Sequence, residues 1–174
     1  MKTKLNLIGL LLTLLTCNSN AQHTNTATKP ERISKTASFV VKGSIDQVFP
    51  LFGAFEERKW AEGWDPQLVY PSAEVMEEGT TFKTVGHGHD ALWVVTKFDS
   101  GNHLVQYLVS TENRFWTITV KCSAVNKQKT EAEVTYTYTG LNTEGNELNR
   151  RSLHQMFQNN LQDWATAINQ YLNG

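Results

Sequence analysis

The sequence predicts an α+β domain in which a curved antiparallel sheet wraps around a long C-terminal helix, with two short helices after the first strand. Strand-like segments separated by short turn signals favour antiparallel neighbours. The last two strands alternate apolar and polar residues, and the final segment carries an apolar stripe at helical spacing. A sheet and a helix that are each apolar on one face bury those faces against each other.

The N-terminal segment 1–21 has the layout of a secretory signal peptide. Lys2 and Lys4 precede an apolar run that is too short to span a membrane comfortably, and small residues at Ser19 and Ala21 suit cleavage before Gln22. Residues 22–31 are polar and Thr-rich, which predicts a flexible leader into a domain at 32–174. The expected location is therefore periplasmic or secreted.

Cys17 offers an alternative fate for this segment. The sequence Leu14-Leu15-Thr16-Cys17 resembles a bacterial lipoprotein box, although Thr16 stands where a smaller residue is usual. Acylation at Cys17 would tether the protein to the envelope, whereas cleavage after Ala21 would release it. In either case no transmembrane span is expected in the mature protein.

The domain begins with a strand at Ile33–Lys42 that ends at Gly43-Ser44. Ser44 followed by Gln47 has the spacing of a capping box and predicts a short helix, which Pro50 limits. The stretch 53–72 is aromatic, charged and punctuated by prolines, so it predicts a second short helix and a crossing loop. Its charged run 56–59 is expected to be a solvated helix face.

Further strands are predicted between turn signals. They lie near Val75 and at Thr81–Val85, Leu92–Phe98, Leu104–Val109, Phe115–Val125 and Thr130–Thr139. Alternation is clearest in the last two strands. Their apolar faces comprise Trp116, Ile118, Val120, Cys122 and Ala124 in one, and Ala132, Val134, Tyr136 and Tyr138 in the other.

A single long helix is predicted at about Glu144–Leu172. Its apolar stripe comprises Leu153, Met156, Phe157, Leu161, Trp164, Ala165, Ile168 and Tyr171. Polar residues lie largely off this stripe, and they are Asn149, Arg150, Gln158, Asn159, Gln162 and Asn169.

Three segments of the sequence resemble a known superfamily. They are ERKWAEGWDPQLVYPS at 57–72, GTTF at 79–82 and WVVTKFD at 93–99. Together with the order of elements they resemble bacterial members of the START-like (SRPBCC) superfamily, which includes polyketide cyclases and birch-pollen-allergen-type proteins. The resemblance implies a helix-grip fold over essentially the whole domain. It also implies a cavity for an apolar ligand between the sheet and the helix.

Nine residues are candidates for contact with such a ligand, although core packing is the more usual use of any one such side chain. They are Trp60, Trp64, Tyr107, Trp116, Ile118, Tyr136, Tyr138, Phe157 and Trp164. Trp60 and Trp64 belong to an aromatic loop that can act either as a lid or as a fixed plug at the open end of the grip.

No catalytic residue, metal or cofactor is assigned from the sequence. His87, His89 and Asp90 have metal-ligating side chains, but the glycines between two predicted strands equally make an exposed hairpin. Motifs for a serine nucleophile, a phosphate loop and a paired-cysteine zinc site do not occur. Cys122 lies on an apolar strand face, which predicts an inert buried thiol.

The 174 residues suit one domain. With 16 basic and 17 acidic residues, the chain has no excess positive charge to attract nucleic acid.

The function predicted first is an exported binding protein for a small hydrophobic molecule or lipid. One alternative is a cyclase- or hydratase-like enzyme that uses the same cavity, which convergent polar groups with a shifted pKa would favour. The other is a protein-interaction module, which a closed interior and an exposed apolar patch would favour.

Overall fold

A computed structural model describes residues 29–85 and 90–174. The predicted signal peptide, the Cys17 box and most of the leader lie outside the described residues. The strands are β1 (Arg32–Lys42), β2 (Gln67–Tyr70), β3 (Thr81–Thr84), β4 (Ala91–Asp99), β5 (Leu104–Ser110), β6 (Arg114–Asn126) and β7 (Lys129–Gly140). The helices are α1 (Ile45–Val48), two 3₁₀ helices (Phe49–Phe52 and Glu56–Lys59), α2 (Thr143–Met156) and α3 (Gln162–Asn173).

The strands form one antiparallel sheet in the order β1-β7-β6-β5-β4-β3-β2. Strands β2 to β6 each pair with the next strand along the chain, as short connections allow. Strand β1 crosses to pair with β7 along its whole length, from Arg32 opposite Thr139 to Lys42 opposite Lys129. The predicted α+β class and the antiparallel sheet are confirmed.

The alternation predicted in β6 and β7 matches their burial. The inward residues of β7 from Ala132 to Tyr138 are buried, as are those of β6 from Trp116 to Cys122. Ala124, which was predicted on the same face, is exposed because the ladder is irregular between Ala124 and Asn126, near the hairpin.

The region between the first helices and β3 differs from the prediction. No strand forms at Val75, whose carbonyl instead accepts a hydrogen bond from Thr80 Oγ1 at 3.0 Å within a loop. A strand forms earlier, at β2, inside the segment predicted as a crossing loop. It is only four residues long and pairs with β3 at the sheet edge, where neighbouring prolines are tolerated.

The single long C-terminal helix was predicted wrongly, because the chain forms α2 and α3 with a break between them. Asn160 and Leu161 at the break have left-handed backbones, with φ of 52° and 61°. Asparagine tolerates this conformation better than most residues. Leu161 is fully buried, so its packing in the core offsets the strain of its own backbone.

The faces of these helices also differ from the predicted stripe. Asn149, predicted off the stripe, is 1% exposed, while Tyr171, predicted on it, is 41% exposed. The first half of α2 has a polar inward face because it ties the sheet together. Asn146 accepts a hydrogen bond from the Glu31 backbone N–H at 3.1 Å, and Asn149 accepts one from the Arg114 side chain at 3.4 Å.

One end of the grip is filled by aliphatic and small residues, and we call it the packed end. It is formed by Val41, Cys122, Ala132, Val134 and Ile168, all buried, under α1 and α3. Burial raises the pKa of the Cys122 thiol to about 12, which leaves the thiolate, the nucleophilic form, scarce. Among residues 29–85 and 90–174, no helix is long and apolar enough to cross a membrane.

Candidate ligand cavity

The other end of the grip encloses a cavity of about 310 Å³. Its floor comes from the inward faces of β3 to β7, its cover from the loop after the first helices, and its side from Met156 of α2 and Trp164 of α3. The same strand faces that carry small residues at the packed end carry Trp116, Tyr136 and Tyr138 here. The helix break after α2 lies over this end of the sheet.

All five tryptophans of the chain line this cavity. They are Trp60, Trp64, Trp93, Trp116 and Trp164. Their rings form two contacting groups. Trp64 and Trp93 have centroids 5.2 Å apart, with Trp116 next to Trp93, and Trp60 and Trp164 have centroids 5.5 Å apart. Edge-to-face and tilted pairs at these distances stabilise each other beyond simple area burial.

The cover of the cavity is anchored by its polar atoms. The Trp60 indole N–H donates to the Leu51 carbonyl at 2.7 Å, and the Trp64 indole N–H donates to the Ala54 carbonyl at 2.6 Å. Both tryptophans therefore direct their donors to backbone carbonyls of the preceding segment, residues 51–54. Their rings close the open end of the grip, and this placement suits either the predicted plug or the predicted lid.

Tyr107 connects the floor of the cavity to the same segment, residues 51–54. Its hydroxyl donates to the Phe52 carbonyl at 2.8 Å. Tyr136 differs, because its hydroxyl has no hydrogen-bond partner among the described residues although the side chain is 5% exposed. Burial raises the pKa of both phenols well above the ordinary value of 10, and the nearby Glu57 carboxylate adds to the shift.

Glu57 corrects the prediction that the charged run 56–59 is a solvated face. Arg58 pairs outward with Glu74 at 2.9 Å, and Lys59 pairs with Glu56. Glu57 instead lines the cavity. The reason is the 3₁₀ geometry of this helix, which places residues i and i+3 on one side. Glu57 therefore follows Trp60 inward.

The Glu57 carboxyl group is enclosed without a partner. It makes no hydrogen bond or ion pair with any other described residue, and it keeps some accessible surface because it faces the open space of the cavity. Burial raises its pKa from 4.5 to about 8, because low-polarity surroundings disfavour the charged form. At neutral pH the group is mostly protonated.

A polar vestibule of about 630 Å³ adjoins the cavity and shares Tyr138, Met156 and Trp164 with it. Its cation is Arg114, whose guanidinium lies 5.0 Å from the centre of the Trp116 ring and 5.5 Å from that of Tyr138. Arg114 also donates to Ser152 Oγ at 2.9 Å. Burial lowers the Arg114 pKa.

Eight of the nine residues predicted to contact a ligand line the cavity. The exception is Phe157, which is 2% exposed and packs edge-on against Tyr136, with the Lys35 ammonium over its ring. That the eight contact a ligand remains a prediction.

The lining residues that sequence reasoning missed are Glu57, Ala61, Phe82, Trp93, Val120 and Met156. Alternation could have found two of them. Phe82 and Trp93 are paired across β3 and β4 and stack at 5.5 Å. Trp93 alternates with the buried residues Ala91 and Val95, and the irregularity in the β4 ladder comes only after Val95.

The metal candidates stay untested as a group. His87 and His89 lie outside the described residues, and Asp90 is exposed. Within residues 29–85 and 90–174, no three histidine, cysteine or acidic side chains come close enough to hold a metal ion. His103 lies instead 4.0 Å from Asp46 and packs edge-on against Phe49.

Comparison with known proteins identifies the architecture. No protein-family model matches the sequence, and no curated protein matches it. Among solved structures, norcoclaurine synthase from Thalictrum flavum, in complex with dopamine and hydroxybenzaldehyde, superposes with a TM-score of 0.59 at 13% identity. That match covers 98% of this chain and 96% of the synthase. The chain has the helix-grip fold.

Two further solved structures superpose on the chain to a similar extent. Ara h 8.0201 matches with a TM-score of 0.58 at 13% identity, over 83% of this chain and 100% of its own. An uncharacterised protein from Rhizobium leguminosarum matches with a TM-score of 0.58 at 15% identity, over 83% and 97%. Identities this low establish the helix-grip fold alone.

Proposed function

We propose that this helix-grip protein binds a small, largely apolar molecule between its sheet and its C-terminal helices. The observation that carries the proposal is the cavity of about 310 Å³ lined by five tryptophans. Ligand pockets are typically concave, mainly apolar and supplied with a few placed polar groups. The binding free energy would come mainly from buried apolar area, offset by the cost of association.

The proposal includes export, with cleavage of the signal peptide before Gln22. It rests on Lys2, Lys4, the short apolar run and the small residues before the cleavage point. Intact-mass analysis of protein expressed in an exporting bacterial host measures the outcome. A mass that starts at Gln22 agrees with release, a diacylglycerol on Cys17 establishes the tethered alternative, and a retained N-terminal segment contradicts export.

The binding proposal is tested by native mass spectrometry of freshly purified protein and by titration with the neutral fluorescent probe N-phenyl-1-naphthylamine. Tyr136→Ala is expected to weaken probe binding or to shed a co-purified molecule. Thr137→Ala is the matched control, because Thr137 is the next residue on β7 and lies on the opposite face. Equal probe affinity in the parent and both folded variants would contradict binding in the cavity.

A second candidate function is acid–base catalysis on the bound molecule, and Glu57 is the observation that favours it. A carboxyl group with a pKa of about 8 suits proton transfer near neutral pH. The unpartnered Tyr136 hydroxyl lies in the same cavity. This combination is the arrangement of polar groups expected for the cyclase- or hydratase-like alternative.

Hydrogen–deuterium exchange of the bound ligand in heavy water distinguishes the two functions. If Glu57 moves protons, the parent protein exchanges acidic C–H protons of its extracted ligand for deuterium, and Glu57→Gln loses the exchange even at a ligand concentration that saturates it. A parent that binds the ligand without exchange supports the binding function alone. The protein-interaction alternative is disfavoured by the presence of an internal cavity, since it was expected to accompany a closed interior.

A further inference from the structure

We propose that the ligand of this cavity carries a positive charge, which the Glu57 carboxylate and the faces of the surrounding tryptophans hold together. The inference rests on the proposed binding function and names the class of ligand: an organic cation with an apolar or aromatic body.

The first support is the polarity of the enclosed groups. Among the described residues that line the cavity, Glu57 is the one acidic side chain, and none is a lysine or an arginine. A carboxylate buried without a partner is costly, and an opposite charge within a few ångströms removes that cost. A cationic ligand supplies that charge.

The second support is the aromatic wall. Indole faces carry negative potential and are the best side-chain partners for cations, especially where water is excluded. Trp60 and Trp64, which adjoin Glu57 in the chain, direct their N–H donors away to backbone carbonyls. Trp60 and Trp64 therefore present aromatic carbon rather than indole N–H to the cavity, which suits a cation better than an anion.

The vestibule shows the same preference within the protein itself. Arg114 rests over the rings of Trp116 and Tyr138, which also line the cavity. Asp163 of α3 also lines the vestibule, so Arg114 and Asp163 supply charges of both signs there, whereas Glu57 has no cation beside it among the described residues that line the cavity. The charged group of the ligand is thus directed to the Glu57 end, and its apolar body lies along the tryptophans.

The described groups that face Glu57 do not change charge between pH 7 and 9. Tyr107 of β5 and Tyr136 of β7 have pKa values well above 10, and that of Tyr138 is about 12. Helices α2 and α3 contribute the neutral side chains Met156 and Trp164, and β3, β4 and β6 contribute apolar rings and aliphatic groups. Among the described residues that line the cavity, Glu57 is accordingly the group that changes charge between pH 7 and 9.

The experiment compares two probes of nearly the same shape. Phenyltrimethylammonium carries a permanent positive charge, and tert-butylbenzene replaces its nitrogen with carbon. Tryptophan fluorescence reports both, since every tryptophan lines the cavity. With a Glu57 pKa of about 8, the ionised fraction rises about tenfold from pH 7 to pH 9, so the cation is expected to bind about tenfold more tightly at pH 9.

Two variants complete the design. Glu57→Gln is expected to bind the cation at least about tenfold more weakly than the parent at pH 9 and to lose the pH dependence, because the charged state that holds the cation is removed. Its affinity for tert-butylbenzene stays within about twofold of the parent, which also shows that the cavity is intact. Glu56→Gln, the surface neighbour paired with Lys59, is expected to match the parent with both probes.

The outcomes separate the two proposals. Binding of tert-butylbenzene with equal or weaker binding of the cation at pH 9, unchanged in Glu57→Gln, overturns the inference and leaves the proposed binding function standing. If neither probe binds the parent protein, both are overturned. A cation affinity that depends on pH and on Glu57 as described supports both.

Discussion

The two ends of the grip use the same strand faces for different purposes. Along β7 the inward residues pass from Ala132 and Val134, which are fully buried in a close-packed core, to Tyr136 and Tyr138, which border a cavity. The larger side chains lie beside the larger empty volume. Side-chain size therefore does not decide where the interior is filled; the position of the helices above the sheet does.

The helix break explains this difference. Helix α3 lies along β1 at the packed end, and Ile168 is fully buried there. Leu161 turns the chain at the break, and α2 then contributes Met156 to the cavity side. A single straight helix would have carried the close packing along the whole sheet.

The largest expected effect is a difference in stability loss between substitutions in the helices at the two ends of the grip. Ile168→Ala at the packed end should lower the free energy of unfolding by about 2–5 kcal/mol, because it removes buried methyl groups and leaves a new void. Met156→Ala should cost less than half as much, since Met156 is half-buried and already faces empty space. Urea unfolding measures both, and equal losses would contradict the distinction between the ends.

The next effect concerns the acid at the cavity end. The pKa of Glu57 is raised from 4.5 to about 8 on folding, so between these values the unfolded chain releases a proton that the folded chain keeps. The stability of the fold therefore decreases as pH rises through this window, by at most about 2.7 kcal/mol between pH 6 and 8.

Glu57→Gln should remove this part of the pH dependence and so be more stable than the parent at pH 8, with the advantage shrinking toward pH 4.5. Chemical denaturation at a series of pH values measures it. Glu56→Gln is the control and should keep the slope of the parent. An unchanged slope in Glu57→Gln would mean that its carboxyl group is solvated.

A smaller effect separates two buried tyrosines. Tyr107→Phe should cost about 1–3 kcal/mol, because it leaves the Phe52 carbonyl without the hydroxyl that donates to it at 2.8 Å. Tyr136→Phe should change stability by less than about 0.5 kcal/mol, since its hydroxyl has no partner among the described residues. Thermal unfolding of the two variants compares them directly, and a larger loss for Tyr136→Phe would reverse the assignment.

The sequence predicted the sheet well because strand burial follows a period of two, which survives in β6 and β7 with little interruption. The sequence did not indicate the helix break, because no glycine or proline occurs at Asn160 and Leu161 and the apolar spacing continues across them. The short β2 was hidden for the opposite reason, because Pro66 and Pro71 frame it as a loop.

The sequence predicted the aromatic residues of the site but not the acidic residue Glu57. Trp116, Tyr136 and Trp164 follow from periodicity, but periodicity does not distinguish a packed core from a cavity. Whether Glu57 points inward depends on whether residues 56–59 form an α-helix or a 3₁₀ helix. A four-residue segment has too little periodicity to distinguish the two. Its neighbours in the sequence are all charged, which hides its inward direction.

The central claim is that the aromatic end of the grip holds a ligand-sized space. A crystal soaked with bromobenzene tests it directly, because bromine gives an anomalous signal that locates the molecule without reference to any activity. The account predicts a peak inside the cavity bounded by Trp60, Trp116 and Tyr136. Collapse of these rings onto one another, with no bromine between them, would contradict it.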